Sequence, residues 1–237
     1  MTAAQPSAAR AALRRLGWLA GDYAFAAWCQ ARGAVGPRDP SRYAGPPGRR
    51  CPDVVLVPGV LEPWAFLAPL AERLHRAGHA VHVVPGLGYH RQDLPEAARV
   101  VADVLVERDL RDVVLVGHSK GGLVGKLLLC DPDVGARVRG VVAIAAPFAG
   151  ARRARLVPLH TIQVFRPDDP GIVALARADD ADARIVSVFG SWDPHIPEGS
   201  ALAGARNVRL ATPGHFRVLA DPRLPHVVLD AVAALAR

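Results

Sequence analysis

Three cysteines in 237 residues, Cys29, Cys51 and Cys130, are too few and too widely spaced for a disulfide framework, and no C-x-x-C pair offers a metal site. That sparseness predicts a reducing compartment and a cytoplasmic location. No run of about 18 uncharged apolar residues occurs, so no ordinary membrane span is expected. Aromatics are scarce at 5%, and lysine is limited to Lys120 and Lys126, which leaves arginine to carry nearly all of the positive charge. The basic stretches Arg14-Arg15, Arg49-Arg50 and Arg152, Arg153 and Arg155 are scattered and lack interleaved aromatics. The net charge of +7 therefore describes no nucleic-acid stripe, and no nucleic-acid partner is expected. Fixed-period repeats are also missing, which excludes a solenoid or propeller.

With 51% hydrophobic and 22% charged residues, the chain can bury a substantial core. Short apolar runs alternate with helical patterns: Val54 to Val57, Phe66 to Arg76, Ala80 to Val84, Pro95 to Arg108, Val113 to Val116, Gly121 to Leu129 and Val141 to Ile144. The runs Ile185 to Val188 and Val208 to Leu210 follow, and a helix near His226 to Leu235 ends the series. Continuous rather than alternating apolar strands suit a parallel sheet covered on both faces, so the expected class is α/β, a doubly wound, mostly parallel sheet of about six strands.

Residues 1–50 are expected to form an N-terminal helix and a Pro/Gly-rich linker packed on the core, and residues 51–237 the α/β domain. The linker runs from Gly33 to Arg50, with Pro37, Pro40, Pro46 and Pro47 breaking regular structure. Arg10, Arg14 and Arg15 before Leu16 to Trp28 imitate a secretion signal, but Asp22 interrupts the apolar stretch and no A-x-A site follows. A packed or amphipathic helix is the better reading. The stretch at about 147–183 is too long for an ordinary connection and is expected to be a lid-like insertion, with a helix at Ile172 to Ala178.

The run Val113-Val114-Leu115-Val116-Gly117-His118-Ser119-Lys120-Gly121-Gly122 places G-x-S-x-G between a strand and a helix. That context makes Ser119 a candidate nucleophile, because glycines at 117 and 121 allow a sharp, strained turn that lifts the hydroxyl out of the sheet. A serine hydroxyl needs a base. His215, directly after the last strand in Thr212-Pro213-Gly214-His215-Phe216, is the candidate, ahead of His160, His195 and His226. Asp193, after the penultimate strand, would hold the imidazole and stabilise its charged form. Backbone N–H groups of Val60 and Lys120 are the candidate oxyanion donors, with the Leu61 N–H as the alternative to that of Val60. Leu61, Trp64 and Phe148, together with Phe66 and Leu156, are candidates to line an apolar acyl pocket. The Lys120 ammonium is expected to pair structurally, with Glu62 as the nearest candidate. His75, His79 and His82 share an H-x3-H-x2-H spacing, but Gly78 separates a helix from a strand between them, so no metal is expected.

From about Asp53 onward the chain resembles the α/β-hydrolase superfamily, particularly compact bacterial lipases and esterases. The resemblance rests on Gly117-His118-Ser119-Lys120-Gly121-Gly122, on Ser191-Trp192-Asp193-Pro194-His195-Ile196-Pro197, on Gly214-His215 and on Ala145-Ala146-Pro147-Phe148-Ala149-Gly150. Pro58-Gly59 stands where that superfamily usually has His-Gly, and Lys120 where it has Met or Gln. The resemblance implies ester hydrolysis through an acyl-enzyme with no cofactor, on a small-molecule acyl ester or lipid. A thioesterase, an acyltransferase or a non-catalytic binding protein of the same fold remains an alternative. The Arg152 to Arg155 cluster and the N-terminal apolar helix suggest peripheral membrane contact. Oligomeric state is left open.

Overall fold

Strands that are apolar at every position can be buried only when both faces of their sheet are covered. The computed structural model, which describes residues 8–35, 39–45 and 51–237, has this arrangement. Pro37, Pro46, Pro47 and the Arg49-Arg50 doublet lie outside the described residues. Strands β1 (Val54–Val57), β2 (Val81–Val83), β3 (Val113–His118), β4 (Val138–Ile144), β5 (Ile185–Phe189) and β6 (Arg206–Arg209) form one sheet, ordered β2-β1-β3-β4-β5-β6. Every neighbouring pair is parallel. The sixth strand lies two residues earlier than the run Val208 to Leu210 suggests. As an edge strand with one neighbour it tolerates exposed Arg206 and Arg209, which shift its bounds in a hydropathy reading.

The helices are α1 (Ala8–Val35), α2 (Ala68–Arg76), α3 (Leu94–Glu107), α4 (Lys120–Leu129), the single turn α5 (His160–Gln163), α6 (Pro170–Arg177) and α7 (Leu224–Leu235). Side chains alternate between faces along each strand. Val55, Val57 and Leu115 therefore pack with Val101 and Leu105 of α3 and Leu123 and Leu128 of α4. Their neighbours Val54, Leu56, Val114 and Val116 face Leu70 and Leu74 of α2 and Val228 and Val232 of α7. Each such fully buried aliphatic side chain is worth about 1.5–3 kcal/mol relative to exposure. Both lysines are consumed inside: Lys126 Nζ lies 2.6 Å from Asp182 Oδ1 with both groups buried.

The N-terminal segment is more structured than its composition suggests. Helix α1 continues through Gly33 to Val35, inside the expected linker, because it packs against the turn Trp64–Leu67. A short 3-10 turn, Ser41–Tyr43, also interrupts that linker and buries the Tyr43 ring against Trp64 and His75. No helix among the described residues is long and apolar enough to cross a membrane. The sheet order makes β1 and β3 neighbours, with Val57 paired to Gly117, so the loops leaving their carboxyl ends open onto one crevice.

Candidate active site

Ser119 sits between β3 and α4 with φ 51° and ψ −115°, a backbone conformation that costs a non-glycine residue of order 1–3 kcal/mol. The glycines on either side make this turn feasible. A Cβ on Gly117 would lie 2.3 Å from the Gly121 carbonyl carbon, and one on Gly121 would lie 2.1 Å from Val57 O. No side chain fits at either position. The turn delivers the Ser119 hydroxyl to His215, whose Nε2 lies 3.0 Å from Oγ. The other ring nitrogen, Nδ1, donates to Asp193 Oδ2 at 2.8 Å. The remaining Asp193 oxygen accepts the backbone N–H groups of His195 at 2.7 Å and Ile196 at 3.0 Å. Three side chains from separate loops thus form one hydrogen-bonded chain.

The electrostatics follow from that geometry. Burial alone would raise the Asp193 pKa, but His215 and the two backbone donors outweigh it and hold the carboxyl down to about 2. Burial likewise disfavours the charged imidazole of His215. The Asp193 carboxylate and its hydrogen bond, with smaller help from Glu62 and Asp22, reverse this and raise the pKa above its ordinary 6.5. A hydroxyl, a neutral imidazole that can receive its proton and a carboxylate that stabilises the resulting imidazolium are the parts that nucleophilic acyl chemistry needs.

The loop after β1 is tied at three points. Gly59 N–H donates to Glu62 Oε2 at 2.7 Å, the Pro58 carbonyl accepts from His90 Nδ1 at 2.7 Å, and the Leu61 carbonyl accepts from Gln30 Nε2 at 2.8 Å. Leu61 itself adopts φ 61°. No described protein acceptor takes the Val60 N–H, and Val60 and Ser119 line the same cavity. Lys120 begins α4, where the first N–H groups have no partner within the helix.

The cavity has a volume of about 590 Å³, within the range of small-molecule sites, and its floor includes Ser119 and His215. Leu61, Phe66 and Leu156 line it. Trp64 and Phe148 do not: Trp64 packs on Tyr43 and the α2 face of the sheet, and Phe148 is buried in the core cluster on the α3 and α4 face. Aromatics beside the elbow loops suit a pocket, but these two side chains pack against the core clusters instead. The insertion supplies Leu156, Val157 and Leu159 to the cavity wall. Its helix α6 runs from Pro170 to Arg177, with Asp169 capping Gly171 N–H.

Lys120 points away from the hydroxyl. Its Nζ donates to the carbonyls of His90 and Gln92, so Glu62 is not its partner. Glu62 is engaged instead with His118 Nδ1 at 2.9 Å and with Gly59. Burial holds the Lys120 pKa down to about 8, against the opposing pull of Asp93 and Glu96. Between pH 8 and the ordinary 10.5 the unfolded chain therefore binds the extra proton, and stability rises with pH. Lys120→Met should abolish that rise. At neutral pH the loss of a buried charge and the orphaning of two carbonyls oppose each other, so the diagnostic is the slope: urea midpoints of wild type and variant at pH 7.5 and 10. An unchanged slope would refute the assignment.

Several contributors were not visible in sequence. His195, set aside as a rival base, packs its ring 4.9 Å from that of His215 and lines the cavity, its pKa held down to about 4 first by burial and then by His215. His118 joins Glu62 to the His215 carbonyl, which it approaches at 3.1 Å through Nε2. Leu19, Tyr23, Ala26 and Gln30 of α1, spaced as one helical stripe, form a further wall of the cavity. His75, His79 and His82 turn to three separate partners, the carbonyls of Tyr43 and Pro52 and the carboxylate of Asp53.

A family model described as PGAP1-like alpha/beta domain matches residues 87–159, a stretch that includes the elbow. No curated protein matches. Among solved structures, the mature lipase BlEst2 of Bacillus licheniformis superposes with a TM-score of 0.63 at 17% identity, covering 81% of this chain and 96% of that one. A structure from Nitrososphaera gargenis reported with carboxylesterases gives a TM-score of 0.57 at 14% identity, covering 79% and 91%. The enol-lactonase of Burkholderia xenovorans gives 0.55 at 17% identity, covering 80% and 94%. At such low identity the agreement speaks to architecture alone, and that architecture is the α/β-hydrolase fold.

Proposed function

We propose that this protein is a serine hydrolase that cleaves carboxylic esters through an acyl-enzyme. The observation that carries the reading is the Ser119–His215–Asp193 hydrogen-bonded chain on the floor of an apolar cavity of about 590 Å³. Ser119 Oγ attacks the ester carbonyl carbon while His215 Nε2 takes its proton, and the carbonyl oxygen, now negative, is received by the N–H groups of Val60 and Lys120. On collapse, the imidazolium returns the proton to the departing alkoxide. Water then attacks the acyl carbon with His215 as base, and Ser119 leaves with its proton restored. Asp193 fixes the tautomer throughout. These steps need no cofactor or metal. The lipase, carboxylesterase and lactonase among the structural relatives support ester-type substrates.

The rim of the cavity favours a lipid-like acyl ester over a small polar one. Leu156 is 79% exposed and lines the cavity, flanked by Val157 and Leu159, and the exposed Tyr23 faces it from α1. Apolar side chains left in water at the mouth of an apolar cavity fit a substrate presented at an interface; of the arginines beside them, Arg152 and Arg155 are paired with Glu198 and Asp168, and Arg153 lies on the cavity wall. Here the insertion would act as lid or wall.

A fluorophosphonate reports the nucleophile directly. Incubation should label one serine per chain, and peptide mapping should place the label on Ser119. Thioester and alcohol-acceptor assays run beside oxygen esters would separate hydrolase from thioesterase and acyltransferase. Absence of labelling, or a label on another serine, would overturn the reading.

A further inference from the structure

Asp22 lies in the middle of α1, where a carboxylate has no helical role, and it is fully buried. A buried carboxylate is costly unless its oxygens are satisfied. Three backbone donors satisfy this one, and all come from the loop carrying His215: His215 N–H to Oδ2 at 3.0 Å, Phe216 N–H to Oδ1 at 2.9 Å and Arg217 N–H to Oδ1 at 2.8 Å. The Arg217–Ala220 turn that follows is thus capped by an acid about 195 positions away in sequence. The approach is close enough to need glycine at 214, where φ is +124° and a Cβ would lie 2.3 Å from Asp22 Oδ1. His118 grips the same residue from the opposite side, at the His215 carbonyl. Trp18 against Trp192 and Tyr23 against His195 seat α1 on the loop that carries Asp193.

The geometry points to Asp22 as a positioning residue: through three backbone hydrogen bonds, helix α1 fixes the main chain of His215 so that its imidazole meets Ser119 and Asp193 at once. Helix α1 is then part of the catalytic apparatus. This rests on the hydrolase reading for its kinetic consequence but not for its geometric one. A charge-bearing clamp also acts electrostatically. The titratable groups around His215 are Asp193 and His195 after β5, His118 on β3, Glu62 after β1 and Asp22 on α1, and Asp22 is among those that raise the His215 pKa.

The test is Asp22→Asn in the full chain, with Gly214→Ala as an independent disturbance of the same contact. An amide of equal size keeps one acceptor oxygen but presents a donor where the other accepted. Misplacement of the base by about 1 Å costs on the order of 10²-fold. The expected results are a loss of kcat of that order with KM unchanged, a matching loss in fluorophosphonate labelling rate, and an acid limb of kcat/KM moved to lower pH in Asp22→Asn. Histidine NMR reads the placement without catalysis: the His215 Nδ1–H resonance and titration should both move in Asp22→Asn. If wild type resists labelling at Ser119, the hydrolase reading fails while the NMR still decides the clamp. A folded Asp22→Asn whose His215 resonance, titration and labelling rate match wild type overturns the proposal. So does a variant that loses its near-UV circular dichroism, because Asp22 would then support the fold at large.

Discussion

Ser119→Ala should lower kcat on an activated ester by about 10⁶-fold while leaving KM and the unfolding midpoint close to wild type, because serine and imidazole act as one unit. The fold is spared for a specific reason. The elbow strain at φ 51° belongs to any residue with a Cβ, so alanine adds none, and Gly117 and Gly121 still allow the turn. What disappears is the hydroxyl that sits 3.0 Å from His215 Nε2. The N–H groups of Val60 and Lys120 and the cavity remain, so residual catalysis of about 10³–10⁴ over water is expected. Stopped-flow and steady-state assays of purified wild type and variant read the difference. Turnover in Ser119→Ala above a hundredth of wild type would place the nucleophile elsewhere.

Five of the six strands were legible because they are short, mostly apolar and bracketed by helical patterns, and the elbow because glycine at 117 and 121 is a local steric requirement. The order of Ser119, Asp193 and His215 along the chain pointed to three loop ends that a doubly wound sheet brings together. Helix α1 was not legible as part of the site. Asp22 reads as a flaw in an apolar stretch, and nothing local says that its three donors come from residues 215 to 217. His118 and Glu62 are hidden similarly, since a hydrogen bond between a strand end and a loop 56 residues away leaves no periodic trace. Two of the three aromatic candidates failed in the opposite direction: Trp64 and Phe148 sit beside the right loops but face the core, whereas Phe66 lines the cavity. Local sterics and periodicity are written in sequence, whereas long-range polar pairing is decided only when the chain closes.

Asp193→Asn is expected to cost about 10⁴-fold in kcat at neutral pH, with the geometry largely preserved, because the loss is one of tautomer. The carboxylate requires His215 Nδ1 to donate, which leaves Nε2 free to accept from Ser119. An asparagine whose amide turns toward Nδ1 demands the opposite tautomer, and Nε2 then carries a hydrogen and cannot act as base. Oδ1 of Asp193 already accepts from His195 and Ile196 N–H, so an asparagine oxygen is drawn to those donors and its NH2 toward the ring. The pH profile gives the second reading. In wild type, the raised His215 pKa should put the acid limb of kcat/KM above the ordinary 6.5, and Asp193, at about 2, adds no limb near it. Without the carboxylate, burial dominates and the limb should fall. Stability follows with opposite signs. The Asp193 contribution is present above pH 3.8 and fades toward 2, whereas that of His215 is complete below 6.5 and fades as pH rises through its folded value. Denaturant midpoints of Asp193→Asn should therefore lose the wild-type decline on the alkaline side of 6.5. A variant within ten-fold of wild-type kcat, with its acid limb unmoved, would show that the carboxylate does not govern the base.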